Sequence, residues 1–149
     1  MNGEDDYILF VRSDQYSSFY PENRPFHFKV HLHEPLYLEG KWEIAILDFY
    51  SDERISSVKK NRHELYIFCD VCTNVSLFRN QYSLLRRIFP TNSNNWNNIF
   101  SLPIYLPVKK TEIRDIEIHI FDENGVEALF LSNPLSCTLR IRSRQYRRK

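Results

Sequence analysis

FHFKVHLHEPLYLEGKWEIAILDF, residues 26–49, decides the fold. Its first half alternates strictly, with Phe26, Phe28, Val30 and Leu32 on one side of an extended chain and His27, Lys29 and His31 on the other. A period of two marks a half-buried strand. Glu34-Pro35 breaks the run, and Glu39-Gly40 offers a residue able to take positive φ at a turn. In the second half both faces are apolar, Trp42, Ile44 and Ile46 on one and Ala45, Leu47 and Phe49 on the other. Such a strand belongs inside a sheet that something else packs against. Two strands of this kind predict a packed all-β domain.

Outward from this pair, more strands follow. Residues 7–11 (YILFV) precede it, and 12–25 form a polar, proline-containing loop. Residues 51–64 are charged and read as a surface loop, and 64–71 (ELYIFCDV) alternate again. In 81–89 (QYSLLRRIF), Tyr82, Leu85, Ile88 and Phe89 follow a helical spacing behind a capping Asn80, so a short helix is expected there. The asparagine-rich 91–98 is expected to be irregular, because Asn competes for backbone hydrogen bonds. Pro103 and Pro107 confine 100–108 to an edge or an irregular strand. Residues 114–121 (RDIEIHIF) place Ile116, Ile118 and Ile120 inward. Asn124-Gly125 then signals a hairpin with 126–131 as the returning strand. Residues 137–141 (CTLRI) are the last strand, with Cys137, Leu139 and Ile141 inward. About eight strands, at most one short helix and no room for βαβ crossovers leave an antiparallel sandwich, a jelly roll or a barrel.

Composition agrees with one globular domain: 149 residues, 42% hydrophobic, 26% charged and 15% aromatic. No apolar run approaches the roughly 20 residues that span a bilayer. The acidic start MNGEDDYILF is unlike a secretory signal, so an intracellular chain, or one released without a conventional signal, is expected. The formal charge of +1 hides an asymmetry. Residues 140–149 (RIRSRQYRRK) carry Arg140, Arg142, Arg144, Arg147, Arg148 and Lys149 with no acid, and the other 14 basic and 19 acidic residues leave about −5. Residues 1–139 are thus read as the domain, and 140–149 as a basic strand end and tail.

Chemistry-bearing patterns are few. His27, His31 and His33 share a face on which three imidazoles could hold zinc. Lys29 interrupts them and no carboxylate stands in register, so a solvated polar face is the expected reading, with no metal. Cys69 and Cys72 form a lone CxxC at a strand end, and with Cys137 they make three, too few and odd for a disulfide framework. Buried, reduced thiols are expected over zinc or redox chemistry. Three glycines, none in a phosphate-binding arrangement, argue against nucleotide binding. Asp122 and Glu123 sit in the hairpin turn, and no nucleophile–His–acid grouping stands out, so no enzyme activity and no cofactor are expected. The basic tail remains: six charges that could neutralise phosphates, or meet an acidic protein surface, or aid solubility.

Taken in order, FYPENRPFHFKVHLHEPLYLEGKWEIAILDFY, LYIFCDVCTNVSLFRNQYSLLRRIF, IYLPVKKTEIRDIEIHIFDENGVEALFL and LRIR resemble the penton (minor capsid) proteins of Polinton/Maverick elements and adintovirus-like viruses. The likeness covers roughly residues 7–142. It rests on the YP-x-N segment, residues 35–47, the CD-V strand, Leu84-Leu85-Arg86, and the block from Tyr105 to Gly125. The chain departs from the pattern at Phe49-Tyr50-Ser51, at residues 77–80, which lack the glycine of the pattern, and at Leu139-Arg140-Ile141-Arg142. The resemblance implies a single jelly roll assembled as a homopentamer at the vertices of an icosahedral virion, beside a double-jelly-roll major capsid protein. A ring needs apolar and aromatic anchors on unlike surfaces. Tyr16, Phe19, Tyr20 and Trp96, in polar loops, are the interface candidates. The tail would then face genomic DNA or an acidic patch on a neighbouring capsomer. The alternative is a non-enzymatic β-sandwich binding module that grips nucleic acid through the same tail.

Overall fold

A computed structural model describes residues 6–52, 64–73, 75–77, 80–89 and 96–144. The chain is an antiparallel β-sandwich, and no helix occurs among the described residues. Its strands are β1 (Asp6–Arg12), β2 (His27–Tyr37), β3 (Trp42–Ser51), β4 (Leu65–Cys69), β5 (Val75–Leu77), β6 (Asn80–Tyr82), β7 (Leu84–Ile88), β8 (Trp96–Ile99), β9 (Leu106–Pro107), β10 (Glu112–Asp122) and β11 (Leu135–Ser143). One layer, the β1 sheet, has the order β1-β11-β3-β8, with β9 also on β3. The other, the β2 sheet, has the order β2-β10-β4-β7, and β5 and β6 make a separate hairpin. The long-range pairing is nested: β1 with β11, β2 with β10, β3 with β8, and β4 with β7.

The core lies between the two sheets, and alternation puts it there. Phe28 and Val30 of β2, and Ile116, Ile118 and Ile120 of β10, point in from one layer. Ile44, Ile46 and Phe49 of β3, and Cys137, Leu139 and Ile141 of β11, point in from the other. Full burial of such a side chain stabilises by about 1.5–3 kcal/mol, so these rows carry most of the fold. Gly40 has φ 89° at the turn between β2 and β3, where the Trp42 Nε1–H donates to the Glu39 carbonyl at 2.9 Å.

Four sequence expectations change. The expected helix at 81–89 is strand: Leu84–Ile88 pairs with β4, and the register shifts opposite Ile67/Phe68. That irregularity at Leu85 lets Leu85 and Ile88, three residues apart, both reach the core, which imitates a helical period. Asn97 and Asn98, expected in an irregular stretch, belong to β8, where the burial of Trp96 anchors the strand and the Asn98 Nδ2 donates to the Phe89 carbonyl at 3.1 Å. Residues 91–95 of that stretch, and 53–63 of the charged loop, lie outside the described residues.

The turn after β10 forms as expected. Gly125 has φ 76°, and Asp122 Oδ1 accepts from the Asn124 and Val126 backbone N–H groups. The returning strand does not follow. Residues 126–131 make one bridge, Phe121 with Glu127, because β2 already occupies that edge of β10 between Glu112 and His119. Finally, β2 does not end at Pro35. As an edge strand it absorbs Glu34-Pro35 in a register shift opposite Arg114 and runs on to Tyr37.

Candidate functional site

The outer face of the β2 sheet gathers most of the histidines. Register sets His27 opposite His119, Lys29 opposite Glu117, and His31 opposite Asp115. The expectation that no carboxylate stands in register is therefore corrected: β10 supplies one for each neighbouring histidine. His27 Nε2 lies 2.5 Å from Glu117 Oε2, and His31 Nδ1 lies 2.8 Å from Asp115 Oδ1. The His27 and His119 rings stack at 3.7 Å with an 8° tilt, and the Phe121 ring lies 4.3 Å beyond His119. Glu127, just past the hairpin turn, brings Oε2 to 2.8 Å from His119 Nε2 and 4.0 Å from His27 Nδ1. Burial pushes the His119 pKa below its ordinary value, against the opposing hydrogen bond with Glu127. Lys29 does not interrupt the group, since its ammonium turns over the Tyr20 ring at 5.6 Å. His33 is exposed and stands apart from these pairs.

The loop between β1 and β2 folds over this face. Asn23 acts as a strand substitute, donating to the Lys29 carbonyl at 2.9 Å and accepting from the Lys29 N–H at 3.0 Å, which covers the free edge of β2. Tyr20 donates its hydroxyl to Asp115 Oδ1 at 2.5 Å, and burial together with that carboxylate pushes its pKa up to about 12. Burial acts to raise the Asp115 pKa, but the hydrogen bonds from Tyr20 and His31 outweigh it and hold the carboxyl below its usual range. Phe19 packs on Tyr20 and His31, each ring pair at 4.8 Å, and remains mostly exposed, while Tyr16 is half-buried against the core.

Of the four interface candidates, then, Phe19 is the exposed one. Tyr16 and Tyr20 have partners within the chain. Trp96 is corrected outright: it is 0% exposed in β8, a core residue rather than a surface anchor. Polar flanking residues hid this, because 91–98 reads as loop unless its pairing with β3 is known.

The outer face of the β1 sheet holds the first half of the basic run. Arg140 makes two hydrogen bonds to Asp6, at 2.9 and 2.7 Å, and a third to the Tyr105 hydroxyl at 3.2 Å. Arg140's hydrogen bonds lower the Asp6 pKa. Arg142 Nε donates to Glu43 at 2.6 Å with its guanidinium over the Tyr105 ring at 3.5 Å, and Arg144 lies 3.6 Å from Glu43. These three arginines are thus turned to acids of their own chain. Arg147, Arg148 and Lys149 lie outside the described residues.

Cys69, Cys72 and Cys137 are free and buried, and burial raises all three thiol pKa values, that of Cys72 to about 11. Such thiols are poor nucleophiles. The Asp122 carboxylate is spent on its own turn, and the Glu123 carboxylate accepts from the Glu64 N–H at 3.1 Å. No helix among the described residues is long and apolar enough to cross a membrane.

Compared with known proteins, the chain matches no family model and no curated sequence.

Proposed function

We propose that this protein is a structural capsid protein of the penton type, a single jelly roll that closes into a homopentamer at the vertices of an icosahedral virion. One observation carries the reading: the two margins of the β1 sheet are both apolar and are unlike each other. On the β1 margin Ile8 and Phe10 face outward, Phe10 at 75% exposure. On the opposite margin the β8 end and the segment leading to β9 present Ile99, Leu102 and Ile104, the first two at 82% and 83%. A cyclic ring joins one surface of a subunit to a different surface of the next, so it needs two complementary patches of this kind. Scattered exposed apolar residues need no explanation, but matched rows along both margins of one sheet do.

The nested strand pairing supports the jelly-roll winding, in which an eight-strand ribbon folds over on itself. A double-jelly-roll major capsid protein is the proposed neighbour of the ring, and no catalytic role is assigned. The nucleic-acid reading is weaker. Arg140, Arg142 and Arg144 are engaged by Asp6 and Glu43, which leaves Arg147, Arg148 and Lys149 to contact genomic DNA.

Size-exclusion chromatography with light scattering on the purified chain tests the proposal. A mass of five chains is expected. A monomer at high concentration, or a two-chain species, overturns it.

A further inference from the structure

We propose that His27, His119 and Glu127 form a divalent metal site of the zinc type on the outer face of the β2 sheet, with Glu117 as the residue that orients His27. Three separate pieces of chain deliver the donors: the start of β2, the end of β10, and the segment after the hairpin turn. One ligand atom from each lies within 4.8 Å of the other two. Two imidazoles and a carboxylate are the donors that suit zinc, and three protein ligands leave a fourth position for water.

The surroundings fit that chemistry. Glu117 holds His27 Nε2, so that nitrogen carries the proton and Nδ1 presents its lone pair toward Glu127. A metal-ligating histidine characteristically has its other ring nitrogen fixed by a carboxylate in this way. Glu117 and Glu127 set two carboxylates beside the two imidazoles, which favours a cation. Phe121 and His27 cover the two faces of the His119 ring, so an ion would enter at the ring edge, where Glu127 is partly exposed. A lone pair lies in the plane of its ring, so binding breaks the His119–Glu127 hydrogen bond and turns the rings out of their stack toward a common point. His31 is outside the cluster, because Asp115 and Phe19 hold it further along the strand.

Calorimetric titration of the purified chain with Zn²⁺, and visible spectroscopy with Co²⁺, tests the assignment. The expected result is one ion per chain, with the cobalt form showing ligand-field bands and no thiolate-to-metal charge transfer. His119→Ala should abolish stoichiometric binding, and Glu117→Gln should weaken it by about 10–100-fold. His31→Ala should leave it unchanged. Glu127→Gln guards against misfolding, being near-isosteric at a partly exposed position, and circular dichroism checks each variant. The proposal is overturned by absence of stoichiometric binding, by a thiolate band, or by a folded Glu127→Gln chain that binds as the wild type does. Chain mass in the same samples reads ring formation separately, since the cluster lies on the sheet opposite the proposed contact margins.

Discussion

The indole of Trp96 is fully buried, and its Nε1–H meets no acceptor among the described residues. An unpaired buried donor costs about 1–3 kcal/mol, so the ring stays inside because its apolar area outweighs that cost. Truncation separates the two effects. Trp96→Ala should lower stability by about 3–5 kcal/mol, whereas Trp96→Phe, which also removes the unsatisfied donor, should lose a fraction of that. Urea denaturation of the two variants gives both values. A Trp96→Ala chain as stable as the wild type but unable to oligomerise would return Trp96 to the subunit interface. Phe19 is the opposite case: it keeps one side on Tyr20 and His31 and shows the other to solvent, so its truncation should cost far less stability than that of Trp96.

The turn between β10 and the segment that carries Glu127 sets where that carboxylate falls. Gly125 adopts φ 76°, and a Cβ there would meet nothing within 4 Å, so the penalty of a side chain is conformational alone. Gly125→Ala should therefore cost about 1 kcal/mol, and Gly125→Asn less, since Asn tolerates the left-handed region. Chemical denaturation of both variants checks this; an Ala variant equal to wild type would mean that the turn relaxes to another form. The turn itself was legible in Asn124-Gly125, as β2 and β10 were in their alternation and β3 in its two apolar faces. Where the ladder is irregular the sequence misleads, for Leu85 and Ile88 follow a helical spacing only because the register shifts at Leu85. The histidine cluster was half visible. His27 and His31 announce a polar face, but Glu117 and His119 come to them from some 90 residues away, through a β2–β10 register that no local pattern encodes. Trp96 failed for the same reason, since its burial depends on β3.

At the scale of the whole molecule, the two sheets have different outer faces. The β2 sheet is covered by its own loop and by paired histidines and carboxylates, and the β1 sheet has Arg140 and Arg142 tied to Asp6 and Glu43 across its middle. Apart from Tyr50 on β3, the exposed large apolar side chains of the β1 sheet stand at its two sides, which is where lateral neighbours in a ring would meet. Charge placed on one side should then disable one half of each contact. Phe10→Glu blocks the β1 margin and leaves the β8 margin intact, and Leu102→Glu does the reverse. Both positions are largely exposed, so each variant should fold with stability within about 0.5 kcal/mol of wild type. Alone, each should remain monomeric, because every contact needs both patches. Mixed in equal amounts, they should form a one-to-one heterodimer and stop there, since the pair has a single intact contact and two blocked ends. Light scattering on the mixture gives the stoichiometry. An isologous contact, with the same patch on both partners, predicts no complementation at all, so a mixture that stays monomeric would remove the ring geometry even if the wild-type chain oligomerises.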